Sequence, residues 1–169
     1  MNLVDATYLD AVSEADFPAA AWAALEDLTG AVVGHKLFTV MTVDMVEGLA
    51  RRAYTSHPAE YPVSGTKPIH HDAWFEVVHV QRKSFIANTI ADIAQIFPDY
   101  ELIASLGCGS VWNLPVFLRG ELVATINMLH AEGHYTKERV AAAEERLALP
   151  ARLATAVAMI LDGKAETAA

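Results

Sequence analysis

Residues 111–130 read VWNLPVFLRGELVATINMLH, two runs of alternating apolar character on either side of Arg119-Gly120. A glycine placed where the chain must reverse supplies the positive φ of a tight turn. The segment therefore predicts a β-hairpin, with the turn type left open. Few other features constrain the fold as strongly, because the pattern commits these residues to an antiparallel pair.

The remaining elements are read against that hairpin. Residues 1–15 are expected to be a loosely attached lead-in. Asp16 can cap a helix with Pro18 in its first turn, where a missing amide costs little. Trp22, Leu25 and Leu28 share one face of that helix and Gly30 ends it. Residues 36–43 carry apolar side chains on both parities, as in a strand covered on both faces. Glu47-Gly48 turns the chain into a second strand at 49–55, with Arg51 and Arg52 on opposite faces. Three of seven prolines, with Gly65, make residues 57–68 a loop. A helix is expected at 71–80 with Trp74, Val77, Val78 and Gln81 on one face, then a strand at 84–88. Short helices at 89–97 and 99–106 follow, the second capped by Asp99 and ended by Gly107. Thr136 can cap a last helix reaching about residue 162. Its stripe is Val140, Ala143, Leu147, Ala151, Ala154, Val157 and Leu161, and Pro150 inside it should produce a kink. The tail from Gly163 is expected to fray.

This order of helices and strands suits an antiparallel sheet with helices packed on it, an α+β arrangement. At 169 residues the chain fits one domain that buries roughly two-thirds of its unfolded surface. A hydrophobic content of 53% with 20% charged residues excludes a disordered chain. The net charge of −9 disfavours nucleic acid, whose binding needs clustered cations, and Arg51-Arg52 and Arg82-Lys83 are isolated pairs. A single cysteine, Cys108, excludes an internal disulfide framework and a multi-cysteine zinc site. No signal peptide and no run of ~20 apolar residues is read, so the cytoplasm is the expected compartment, with no membrane partner. The chain is expected to be a whole small protein without an output domain.

The hairpin resembles the last hairpin of GAF domains, on Leu114-Pro115-Val116, Gly120, Ile126-Asn127 and His130. Phe85-Ile86-Ala87-Asn88, followed by a short helix and Trp112, fits the same pattern, and the resemblance covers about residues 16–162. It implies a GAF-like antiparallel sheet. The N- and C-terminal helices lie on one face and often form a dimer bundle, while a ligand pocket occupies the other face under a roof of residues 57–80. It also implies ligand contacts from Tyr54, His71, Trp74, Phe75, Asn88, Trp112, Asn113 and Asn127. Such a set suits a pocket, since aromatics supply area and amides fix orientation. Trp74 and Trp112 can equally be core residues, and Asn127 can equally find a backbone partner.

Other constellations are weaker. On a helix, Asp72, Glu76 and His79 share one face at metal-ligand spacing, although a solvated polar face explains them better. His130 and His134 are separated by a turn and make no helical metal pair. Cys108, between Gly107 and Gly109, sits at a helix end that disfavours a thiolate, so an inert buried thiol explains it better than a nucleophile. Within the family the resemblance names, the several cysteines of free methionine sulfoxide reduction are missing. The Asn-Lys-x-x-x-Phe signature of cyclic-nucleotide sites is absent, and Cys108 lacks the Cys-His context of bilin attachment. Haem through an axial histidine has no particular motif to support it. Phosphate-cradling loops and Gly-x-Ser-x-Gly turns are absent as well.

The favoured reading is therefore a small-molecule-binding sensory GAF protein acting in trans, its ligand and cofactor unspecified, and homodimeric through Val140, Leu147 and Val157. The alternative is an enzyme on the same scaffold using His70, His71, His79 and Cys108 with Asp72 or Glu76. A third reading is a dimerisation module with a vestigial pocket.

Overall fold

The computed structural model describes residues 2–63 and 65–167, with side chains as far as residue 163. The hairpin is present: β5 (Ser110–Leu118) and β6 (Glu121–His130) pair antiparallel from Ser110↔His130 to Leu118↔Glu121. Arg119 at φ 52° and Gly120 at φ 86° both take the left-handed region, giving the two-residue turn whose twist matches that of the strands. Pro115 is tolerated inside β5 for a topological reason. The far side of β5 is paired only along residues 111–113, with β4 (Phe85–Ala87), so no ladder there misses the proline's amide.

β1 (Leu37–Asp44), β2 (Leu49–Thr55) and β3 (Thr66–Pro68) complete a six-stranded sheet in the order β3-β2-β1-β6-β5-β4. Every pairing is antiparallel. With the helices described below, the architecture is α+β, as the sequence predicts.

α1 (Leu3–Ser13), α2 (Pro18–Val32) and α6 (Lys137–Thr167) share one face of the sheet. Trp22, Leu25 and Leu28 of α2 and Val140 and Leu147 of α6 pack with Phe38, Val40, Trp112, Ile126 and Met128 of the sheet. Burying Trp22 and Trp112 this completely makes each worth about 3–5 kcal/mol against truncation to alanine.

Several expectations are corrected here. Residues 3–13 are not a loose lead-in. Asn2 caps α1 by accepting from the Asp5 amide, and Tyr8 and Val12 are buried in the core. The Tyr8 hydroxyl donates to the Pro150 carbonyl at 2.6 Å, and Arg146 pairs with Asp5 at 3.0 Å. Phe17 takes the cap position of α2, with no side-chain bond, where Asp16 was expected. The helix runs past Gly30, and it is Gly34, at φ 79°, that takes the left-handed position beyond its end. The loop at 57–68 closes on β3, where Pro68 sits at the sheet edge. The helix at 71–80 is α3 (Ala73–Phe75), capped by Asp72, continuing into a π-helical turn at Glu76–Val80. α4 (Ile90–Ala94) is capped by Thr89. α5 (Tyr100–Ser105) follows Asp99, whose carboxylate makes no capping bond. α6 continues beyond Gly163 to Thr167, and residues 168–169 of the expected frayed tail lie outside the described residues.

Val140 and Leu147 are 3% and 1% exposed, spent on the chain's own core, and Val157 packs against it. Val140 and Leu147 therefore cannot form the expected dimer face, while Val157 is half-buried. No helix among the described residues is long and apolar enough to cross a membrane.

Candidate functional site

Strand alternation gives the sheet two faces, and the face away from α1, α2 and α6 borders a cavity of about 470 Å³. Its floor is built from odd-numbered residues of three strands: Leu37, Thr39 and Met41 of β1, Val111 and Asn113 of β5, and Asn127 of β6. Ile69, His70, Trp74 and Phe75 close it from above, within the roof expected at 57–80. Phe97, Asp99 and Ile103 close the side between α4 and α5.

A chain of side-chain hydrogen bonds crosses the floor. Trp74 Nε1 donates to Asn113 Oδ1 at 2.9 Å, and Asn113 Nδ2 donates to Asn127 Oδ1 at 2.7 Å. Asn127 Nδ2 then donates to Thr39 Oγ1 at 3.2 Å and to the Thr125 carbonyl at 3.4 Å. Asn113 and Asn127 are 3% and 9% exposed, so each amide would be costly to bury without these partners. The direction of donation fixes both amides, and it ties the roof to the central strands through one indole.

Four of the eight expected ligand contacts line the cavity: Trp74, Phe75, Asn113 and Asn127. The other four do not, each for a physical reason. Trp112 belongs to the opposite parity of β5, packs under the helices, and donates its Nε1 to Ser84 Oγ at 2.9 Å. Tyr54 is turned over by an irregularity in the β1–β2 register, where Val40 faces Tyr54 but Met41 faces Arg52. The extra residue sends Tyr54 to the helix face, where its hydroxyl donates to Glu26 Oε2 at 2.6 Å. Asn88 braces the start of the last helix, donating to the Tyr135 carbonyl and accepting from Ser110 Oγ. His71 is exposed and stacks on the outside of Phe75, with ring centroids 4.1 Å apart.

The catalytic and metal candidates form no single cluster: His70 and Asp72 line the cavity, His71 and His79 both stack on Phe75, and neither Glu76 nor Cys108 lines the cavity. His79 stacks on Phe75 at 4.6 Å, and its buried Nδ1 has no hydrogen-bond partner among the described residues. Asp72 accepts from the Phe75 amide and Glu76 accepts from Gln81. The π-helical turn widens the spacing on which their common face with His79 depended. Among the described residues no group of three such side chains could hold a metal ion. Cys108 lies in a second core cluster with Leu37, Ile93, Ile103 and Leu129. Burial pushes its thiol up, and the nearby Lys36 ammonium offsets this only in part. That is the setting of an inert thiol. His130 and His134 do meet, stacked at 3.6 Å beyond the turn. Burial, and then His134 and neighbouring cations, hold His130 below the ordinary imidazole value.

Several polar residues of the cavity escape sequence reasoning, among them Arg52, Tyr61 and Asp99. Arg52 reaches it because the β2 irregularity places residues 50 and 52, but not 54, on this face. Its guanidinium carbon lies 4.9 Å from the centroid of the Tyr61 ring, in cation–π contact. The Tyr61 hydroxyl donates to Asp99 Oδ2 at 2.8 Å. Burial, reinforced by the Asp99 carboxylate, pushes that phenol well above its ordinary value, so it stays a donor. The alternation of β2 offered a signal for Arg52. Nothing local marks Tyr61 or Asp99, which meet across 38 residues.

No protein-family model and no curated protein matches the sequence. Solved structures do match in shape. The GAF domain of a phosphoenolpyruvate-protein phosphotransferase from Coxiella burnetii superposes with a TM-score of 0.65 at 17% identity, over 98% of this chain and 95% of that one. A GAF domain/HD domain protein from Geobacter sulfurreducens gives 0.66 at 11% identity, over 91% and 97%. The phycoerythrobilin-bound GAF domain of a cyanobacterial phytochrome gives 0.64 at 16% identity, over 94% and 97%. With helices on one face, a cavity on the other, and the strand order above, the chain has the GAF fold.

Proposed function

We propose that this chain is a sensory or regulatory domain that binds a small molecule in the cavity between sheet and roof and signals through another protein. The observation that carries the reading is the cavity itself. It is apolar over most of its wall, falls within the usual size range of ligand sites, and meets a fixed line of amides at its floor. The indole bond from Trp74 to Asn113 supports a route for the signal, since a ligand that displaces either partner moves the roof. Among structures of this fold, the GAF domain of a cyanobacterial phytochrome holds a bound small molecule, phycoerythrobilin.

Two copies associate through α6 in this reading. Leu149, Leu153, Met159 and Ile160 leave apolar side chains in solvent, with Leu149 71% and Ile160 59% exposed. They replace the buried residues first expected to form the interface.

A thermal-shift screen of metabolites on wild-type protein and on Thr125→Phe tests the reading. Thr125 lines the cavity from β6, and a phenyl ring there intrudes on its floor. The expected result is a compound that raises the melting temperature of the wild type and not of the variant. Equal shifts in both proteins would place binding elsewhere and defeat the proposal.

A further inference from the structure

The amide line across the cavity floor is satisfied by its own members, and what remains unsatisfied is more informative. Arg52 Nε is buried with no hydrogen-bond partner among the described residues. Its Nη1 donates to the Pro62 carbonyl at 3.3 Å, and no carboxylate among the described residues lies within ion-pair distance. Asp99 Oδ1 is likewise buried and unpartnered, while its Oδ2 takes the Tyr61 hydroxyl. Both residues line the cavity, and Tyr61 holds both, Arg52 against its ring and Asp99 at its hydroxyl. A cation and an anion are thus positioned on one aromatic scaffold without pairing with each other. Arg52 and Asp99 are themselves only half-buried, but these two atoms are closed to solvent as they stand; a ligand that draws them to the cavity wall and completes both gains from each.

We propose that the cavity takes a small zwitterion, its carboxylate bound by Arg52 and its ammonium by Asp99, with a large apolar body. This is the chemistry of an α-amino acid with a branched or aromatic side chain. The inference rests on the reading of the cavity as a ligand site. A guanidinium edge offers a carboxylate two parallel donors, and an unpaired carboxylate oxygen accepts from an ammonium. Leu37, Phe97, Ile103, Val111, Leu122 and Leu129 surround the remaining volume and reward an apolar body. Lys67, His70 and Asp72 also line the cavity, toward its exposed side. A zwitterion leaves the charge balance of the site as it stands, whereas a dicarboxylate would bring a second anion toward Asp99 and Asp72.

Isothermal titration of the full chain with four matched probes per body tests the assignment. They are L-phenylalanine or L-leucine, the acid lacking the amine, the amine lacking the carboxylate, and the neutral hydrocarbon amide; succinate is the dicarboxylate arm. The expected result is a zwitterion that binds at least about tenfold more tightly than its acid or its amine, the size of one charge-assisted hydrogen bond. Arg52→Gln should erase the preference for the carboxylate and Asp99→Asn that for the ammonium, with melting curves confirming that both variants fold. The wild-type series stands without them if either does not. Equal binding by the acid, the amine, the neutral probe or succinate overturns the zwitterion and leaves the cavity reading intact. So does failure of all probes while another compound from the thermal-shift screen binds. If no compound binds at all, both readings fall.

Discussion

Replacing Asn127 with leucine removes the middle of the hydrogen-bonded line that joins roof to sheet. The substitution breaks the 2.7 Å bond from Asn113 and the 3.2 Å bond to Thr39. Thr39 can rotate its hydroxyl, but Asn113 Nδ2 is left without an acceptor on a residue 3% exposed. An orphaned buried donor costs about 1–3 kcal/mol, and the lost bond to Thr39 adds about 1. New contact between leucine and the apolar cavity returns about 1 kcal/mol, for a net loss of about 2. For a domain of this length that is a fall of about 4–8 °C in melting temperature, read by calorimetry. Adding Asn113→Leu removes the orphan that the first change created, and leaves only the indole of the half-buried Trp74. The double variant should therefore cost less than the sum of the singles by about 1–2 kcal/mol. A melting temperature that stays level or rises in Asn127→Leu, or strict additivity in the double, would refute the line of bonds as described.

Tyr54→Phe should lower stability by about 1 kcal/mol, through loss of the bond to Glu26, and leave ligand affinity unchanged, because Tyr54 faces the helices. Titration on both proteins checks this. Cys108 should react slowly with a thiol reagent in native protein and rapidly in denaturant, since burial raises its pKa; Cys108→Ser should bind ligand as the wild type does. His130 is held below its ordinary value in the fold, so the folded state binds fewer protons there than the unfolded chain. Its contribution to stability is complete above the ordinary imidazole value and is lost as pH falls through that value to the lowered one. Denaturant melts from pH 8 to 5 should show this decline, and His130→Gln should flatten it. Ile160→Glu with Leu149→Glu should shift a dimer to monomer in light scattering while leaving the melting curve of the domain close to wild type, as both side chains stand in solvent.

Much of the fold was legible because it rests on local patterns. The 111–130 hairpin and the strand at 49–55 follow from alternation and glycine placement, and the helix stripe of Val140, Leu147 and Ala154 from its period. The site was half legible. Parity along β5 and β6 separates Asn113 and Asn127 from Trp112, yet the sequence does not state which parity meets helices and which meets the cavity. Tyr54 failed because a one-residue irregularity reverses every later side chain, and no residue in 49–55 announces it. A second irregularity, between Val116 and Phe117, brings Leu122 into the cavity wall against the parity of its strand. The metal face of Asp72, Glu76 and His79 presumed a 3.6-residue period that the π-helical turn does not keep. The first helix was missed because its apolar residues form no strong stripe, and its support comes from residues 146 and 150, far along the chain. Arg52, Tyr61 and Asp99 converge through tertiary structure, which pattern reading does not see.

The most direct test of a ligand-binding cavity is native mass spectrometry of the wild type and Thr125→Phe after incubation with the same metabolite extract. The account predicts a stoichiometric small-molecule adduct on the wild type that is missing from, or much weaker on, the obstructed variant. Identical spectra from the two proteins, with the same adduct or with none, would contradict it.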